Sequence, residues 1–387
     1  MTPHETACTA AAPTDEADRL ARLRLIRSRR VGPQTFFRLL AEHGSAAAAL
    51  DALPAIAAAA GVEDYAPCPA DAARREIDAG LRAGARLVFS GEAAYPAALT
   101  ELADAPPALW ALGHLGLGRR RAVALVGARN ASSLGTRMAR RLAEGLAEAG
   151  FVVVSGLARG VDTAAHAATI KTGTIAVMAG GIDRIYPAEN ARLAGEIARD
   201  GLRLSEQPPG LDPQARHFPR RNRIVSGLAE AVVVVEGAAR SGSLITARAA
   251  LDQGREVMAV PGHPLDARAA GCNILIRDGA MLVRGADDVV EALARPDPPA
   301  PAPDPALALE EPSPAPAPAA PRARPSAAPP GAVSARILAL LGPAPVAEDQ
   351  IVRDLALPAR EVARALTLLE LEGRIARQSG GLLCRPA

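Results

Sequence analysis

The chain has 387 residues, enough for two or three domains with cores of their own. Its 44 Lys and Arg residues against 42 Asp and Glu leave a formal net charge of +2, so the chain as a whole is no polycation and any polyanion site must be a local cluster. The four cysteines, Cys8, Cys68, Cys272 and Cys384, are scattered without CxxC spacing, which speaks against a zinc site or a disulfide framework.

The first residues are polar and acidic, with no basic stretch leading into an apolar one, and the alanine run from 46 to 60 is broken by Asp51 and Pro54. A cytoplasmic protein that does not cross a membrane is expected. Residues 1–14 read as a disordered tail. From 15 to 85 the apolar spacing over Leu20, Leu23, Leu25 and Ile26, and then over Phe36, Leu39 and Leu40, predicts short helices joined at Gly32-Pro33. Such a module is helix-hairpin-helix-like or sterile-alpha-motif-like, and the pattern fits a plain packing domain as well as a DNA contact. Between Arg86 and Gly113 a short strand at Leu87 to Phe89 and proline-rich turns predict an irregular lead-in, with Trp110 as a core plug more readily than a stacking platform.

Residues 86–294 then alternate strands and helices. Two valine-rich runs, Ala122 to Val126 and Phe151 to Val154, have the length and branching of strands buried on both faces. Met138, Leu142 and Leu146 recur between them at helical spacing, so the unit is strand, helix, parallel strand. Further strands fall at Thr174 to Met178, Leu202 to Ser205, Val232 to Val235 and Val257 to Val260, with helices between. The expected fold is α/β, an extended Rossmann-like doubly wound and mostly parallel sheet. Residues 295–331 are dominated by proline and alanine and read as a semi-rigid linker. Beyond it, 332–387 show three helical spacings and a glycine-centred hairpin, a winged-helix pattern. Its presumed recognition helix carries Arg360 and Arg364 but also Glu361, Glu370 and Glu372, which leaves DNA contact and protein contact evenly matched.

Four segments could carry chemistry. Gly127 to Ser133 and Ser155 to Gly160 each follow a strand and lead into a helix, at the sheet edge where backbone N–H groups attract anions. Glu236 to Thr246 does the same, and Ser241, Gly242, Ser243 and Thr246 add small residues and hydroxyls. Between them, Phe218, Arg220, Arg221, Asn222 and Arg223 look like a loop turning into a helix, aiming guanidinium groups and a helix N-terminus at one anion. The bland reading is a solvated arginine patch; the interleaved Phe218 and Asn222 favour phosphate. Asp162 and His166, four apart on a helix, read as a cap and its neighbour more readily than as an acid/base pair. Neither GxGxxG nor GxxxxGK[ST] occurs, and no metal-ligand set accompanies the pair, so no cofactor, metal or catalytic residue is expected.

These motifs resemble the DNA-processing protein A family, DprA/Smf. The resemblance runs from about Tyr95 to Ala292 through Val126-Gly127-Ala128-Arg129, Ser155 to Asp162, Gly181-Ile182-Asp183 with Tyr186-Pro187, Phe218-Pro219 with Arg221-Asn222-Arg223-Ile224, and Ser241-Gly242-Ser243 with Thr246. It implies a protein that is not an enzyme. Family members bind and protect incoming single-stranded DNA during natural transformation, load the RecA recombinase, and act as a homodimer. Carried onto this chain, the DNA pocket would comprise Arg129, Ser155, Gly156, Gly160, Phe218, Arg220, Arg221, Asn222, Arg223, Ser241, Gly242, Ser243 and Thr246. On that reading Arg129→Ala or Arg221→Ala weakens binding similarly across DNA sequences. The family pocket often includes a lysine, whereas Lys171, the only lysine here, lies on a helix away from the loops, so Arg216 or Arg220 would substitute. The competing readings are a Rossmann-type nucleoside monophosphate phosphoribohydrolase, whose PGGxGTxxE motif is not matched at Glu236 to Thr246, and a transcription factor built on the winged helix.

Overall fold

The computed structural model describes residues 10–294, 330–341, 346–355, 357–377 and 382–384. The expected tail up to residue 9, most of the proline/alanine linker and the tip of the hairpin lie outside the described residues. The last part of the predicted tail is packed: Arg22 donates to the Ala11 carbonyl at 2.7 Å.

Four helices open the chain, α1 (Glu16–Arg27), α2 (Pro33–His43), α3 (Ala46–Ala59) and α4 (Ala70–Arg82). Local chemistry sets their ends. Asp15 caps α1 by accepting from Asp18 N, Pro33 stands at the first turn of α2, Gly44 closes α2 in the left-handed region at φ +75°, and Ser45 caps α3 through Ala48 N. The module packs on the sheet edge through Trp110, whose Nε1 donates to Glu76 at 3.0 Å. The indole is 1% exposed and lies against Gly80, where a Cβ would stand 2.0 Å from the ring, so it plugs the core and offers no stacking surface.

The large domain runs β1 (Arg86–Phe89), α5 (Ala97–Thr100), β2 (Ala108–Gly113), β3 (Ala122–Val126), α6 (Ser133–Glu148), β4 (Val152–Ser155), α7 (Val161–Thr169) and β5 (Thr174–Met178). It continues with α8 (Ala191–Asp200), β6 (Leu202–Ser205), α9 (His217–Gly227), β7 (Ala231–Val234), α10 (Gly242–Asp252), β8 (Glu256–Ala259), α11 (Ala270–Arg277), β9 (Met281–Leu282) and α12 (Ala286–Ala292). The strands form one sheet in the order β1-β2-β6-β5-β4-β3-β7-β8-β9, parallel from β6 onward. The strand expected at Leu87 to Phe89 is β1, and the rest of the expected irregular lead-in supplies β2, which pairs antiparallel with β1 and with β6. Pro106 and Pro107 cannot donate to a ladder, but the apolar run after them can, and that run becomes the strand.

Alternation divides the core. Ala122, Ala124 and Val126 of β3 join the cluster that reaches the N-terminal module, while Val123 and Leu125 join the cluster under α6 and α12. The strand order reverses at β3, which lies between β4 and β7, and a doubly wound sheet opens a crevice at such a point, beyond the carboxyl ends of its strands.

After the linker come α13 (Pro330–Leu340), β10 (Val346–Ala347), α14 (Glu348–Leu355), α15 (Ala359–Leu371), β11 (Ala376–Arg377) and β12 (Leu382–Cys384). Their three strands form a small sheet in the order β10-β12-β11, and Ile337, Ile351, Leu366 and Leu383 close a separate core. This is a winged helix, with one more strand than the hairpin predicted from sequence. Among the described residues no helix is long and apolar enough to cross a membrane.

Candidate nucleic-acid interface

A cleft of about 560 Å³ opens at the switch point. Nine of the residues singled out from sequence line it, namely Arg129, Gly156, Phe218, Arg221, Asn222, Ser241, Gly242, Ser243 and Thr246. Ser155, Gly160, Arg220 and Arg223 do not. Ser155 is fully buried and donates to the Leu125 carbonyl at 2.6 Å. Gly160 (φ +75°) lets two loops touch, for a Cβ there would stand 2.2 Å from the Ala128 carbonyl oxygen.

The three strand-end loops look alike in sequence and differ in the structure. In the first, Glu236 crosses from the end of β7 and accepts from both Ser132 N (2.8 Å) and Ser132 Oγ at the start of α6. In the second, Asp162 accepts from Gly156 N (3.1 Å) and Ala158 N (3.2 Å). Both loops therefore already hold an anion, a carboxylate of the protein itself. The third loop holds none among the described residues. Ser241 begins α10 without a side-chain cap bond, its hydroxyl and that of Ser243 bond each other, and the leading N–H groups of a helix have no acceptor within it. An external phosphate has its open place here.

The arginine run is also sorted by tertiary structure. The sequence suggested a loop ahead of a helix, but α9 already begins at His217, so residues turn by about 100° each and the three guanidinium groups leave in different directions. Arg220 is exposed. Arg221 turns into the floor of the cleft, donating to the Gly156 carbonyl and to the Val177 carbonyl at 2.6 Å. Arg223 faces away, bound to Glu206 at 2.5 Å and paired with Asp104 at 3.4 Å. Two of the three are structural ties. Burial brings the Arg221 pKa down to about 10, against the opposing charge of Asp162, and burial pushes the Asp162 carboxyl up despite Arg221 beside it. His166 is held neutral, its pKa lowered to about 3 by burial and then by Arg221, with Nδ1 2.7 Å from Thr174 Oγ1. Although Asp162 and His166 share a helix, each is engaged elsewhere.

One wall of the cleft is aromatic. The Arg129 guanidinium lies 5.0 Å over the Phe218 ring, and Tyr186 meets that ring edge-on with centroids 5.8 Å apart. Tyr186 is 49% exposed and was not among the residues chosen from sequence. Only the fold brings it to Phe218. Lys171 sits in the turn before β5, at the opposite edge of the sheet from the cleft. Among the described residues no group of three or more His, Cys, Asp or Glu is placed to hold a metal ion.

Comparison with known proteins agrees with this architecture over most of the chain. The family described as DNA recombination-mediator protein A matches residues 86–294, a DprA-like N-terminal HHH domain matches 16–79, and a DprA winged helix domain matches 294–381. The DNA processing protein DprA of Bacillus subtilis is 47% identical over 202 residues, 51% of this chain and 68% of the relative. The DprA of Streptococcus pneumoniae is 47% identical over 198 residues, 51% of this chain and 70% of the relative. The crystal structure of the S. pneumoniae protein superposes with a TM-score of 0.57 at 35% identity, covering 70% of this chain and 95% of that one. DNA processing protein A from Helicobacter pylori, whose structure concerns its single-stranded DNA binding mode, gives a TM-score of 0.50 at 30% identity over 54% of this chain and 95% of that one.

Proposed function

The chain belongs to the DprA/Smf family, and from that membership we propose that it binds single-stranded DNA in the switch-point cleft, as a homodimer, and delivers the strand to the RecA recombinase during natural transformation. The observation that carries the binding reading is the uneven filling of the three loops. Asp162 and Glu236 close two of them, and the open N-terminus of α10 lies in the same cleft as the Arg129 guanidinium and the Phe218 ring. A phosphate on the α10 amides and a base against the Arg129–Phe218–Tyr186 wall are the two halves of one nucleotide. An unstacked base presents its face to such a wall, whereas a base inside a duplex does not, which favours single strands.

The same engagement supports a binding role over catalysis. Phosphoribosyl hydrolysis requires a carboxylate free to act on the sugar or its attacking water, and the two nearest carboxylates are committed to backbone N–H groups. Incubation with nucleoside monophosphates is expected to release no free base.

Fluorescence anisotropy with labelled single-stranded and duplex oligonucleotides at two salt concentrations tests the binding reading. Single strands are expected to bind more tightly, with a logarithmic salt slope of about −0.7 for each phosphate neutralised. Arg129→Ala should reduce affinity to a similar extent for every sequence and lower the magnitude of that slope by about that much. Binding that ignores salt, or an Arg129→Ala protein that binds as the parent does, would refute the cleft as the site.

A further inference from the structure

We propose that the outward face of α15 is a docking surface for the N-terminal helical module of the same chain, so that the winged-helix domain acts as a clamp on that module and does not read duplex DNA. This inference is independent of the single-stranded DNA reading. In a helix-turn-helix arrangement α14 and α15 are the two paired helices, and α15 holds the position of the helix that would enter the major groove. Its inward side is Val362, Ala365, Leu366 and Leu369, all part of the domain's own apolar cluster. At about 100° per residue, Arg360, Thr367 and Leu371 fall on the opposite, outward side. Thr367 and Leu371 are nevertheless 4% and 0% exposed, and Leu371 belongs to no apolar cluster of its own domain.

The cover is the N-terminal module. Arg38 of α2 donates to the Ala363 carbonyl at 2.8 Å and to Thr367 Oγ1, and pairs with Glu348 at 3.5 Å. Thr35 donates to Glu370 at 3.2 Å. Arg30, in the turn between α1 and α2, donates to the Leu371 carbonyl, at the C-terminal end of α15 where the helix dipole favours a cation. Glu348 and Glu370, which Arg377 of the winged helix also binds at 3.0 and 2.7 Å, are shared with the module's Arg38 and Thr35. The B-form major groove is about 12 Å wide and an α-helix with side chains is about 10–12 Å across, so a groove admits α15 alone and not α15 with α2 and α3 of the module packed on it. Docking and duplex reading are therefore mutually exclusive. The two partners are joined through the 35 residues from 295 to 329, which makes the contact intramolecular at high effective concentration.

Hydroxyl-radical footprinting of the full chain reads the buried face directly, with oxidation of Leu371 compared to that of Leu265, which is 90% exposed. In the parent protein Leu371 should be oxidised at least about tenfold more slowly. Arg38→Glu should raise its rate several-fold, and Arg30→Ala should raise it as well. Equal oxidation of the two leucines, or protection indifferent to Arg38→Glu and Arg30→Ala, would overturn the docking. Protection that disappears on dilution would give the surface to a second copy and overturn the intramolecular assignment. In a duplex gel shift, joint replacement Arg360→Ala and Arg364→Ala should leave affinity unchanged, and a tenfold loss would show that α15 reads DNA after all.

Discussion

Replacing Arg221 separates a structural guanidinium from a ligand-binding one. Its side chain bonds the carbonyls of Gly156 and Val177 and carries the positive charge that faces Asp162 beneath the cleft. It packs so closely under the β4–α7 loop that a Cβ on Gly156 would stand 2.3 Å from the guanidinium. Arg221→Ala leaves two buried carbonyls without their donor and a buried carboxylate without its cation. Each buried polar group left without its partner costs about 1–3 kcal/mol, so the two carbonyls alone account for about 2–6 kcal/mol. In a domain of this size each kcal/mol moves the melting temperature by about 2–4 °C, so the variant should melt roughly 10 °C below the parent. Thermal unfolding followed by circular dichroism measures this, with Arg129→Ala as the contrast, since Arg129 is exposed and its loss should leave melting unchanged. Arg221→Ala combined with Asp162→Asn should recover part of the loss, because the carboxylate no longer needs a cation. If Arg221→Ala melts with the parent and simply fails to bind oligonucleotide, the guanidinium is a phosphate ligand and the structural reasoning is refuted.

Ser241→Asp gives the third loop the carboxylate that the other two already have. It should cap α10 without loss of stability and reduce single-stranded DNA affinity about tenfold or more, both readable by anisotropy and melting. His166 makes stability pH-dependent in a definite sense. The unfolded chain protonates it near 6.5 and the folded one only near 3, so stability should fall as pH drops through that window, by about 2 kcal/mol between pH 7 and 5. Urea titrations should show that His166→Gln removes that share of the difference, and an unaltered pH profile would count against a neutral buried imidazole. Gly160→Ala forces a Cβ onto a backbone carbonyl at a φ that L residues rarely adopt, and should cost more than about 3 kcal/mol in the same titration.

Much of the architecture was legible along the chain, because strands buried on both faces must be apolar throughout and helices must repeat every 3.6 residues. Val152 to Val154 and the spacing of Leu142 and Leu146 leave little choice about the element each forms. Glycine-bearing loops after parallel strands likewise pointed to the sheet edge where the cleft opens, since every parallel strand of a doubly wound sheet ends on the same side. The antiparallel β1–β2 extension was less visible, because prolines interrupt its pattern and its pairing partner β6 lies about ninety residues further on.

What composition and spacing alone could not apportion is which polar group meets which. Three arginines within four positions read as one positive patch, yet a helix starting at His217 sends Arg220 to solvent, Arg221 into the floor and Arg223 to Glu206. Three similar loops read as one cradle, yet Asp162 from the helix that follows its own loop and Glu236 from the end of β7 fill two of them. Periodicity is a local property, set by backbone geometry within a few residues, so the sequence by itself determined the elements, their order and the edge at which the cleft opens. The pairing of charges and the filling of anion sites depend on groups such as Ser132 and Glu236, 104 residues apart, and only the packed tertiary structure decided those.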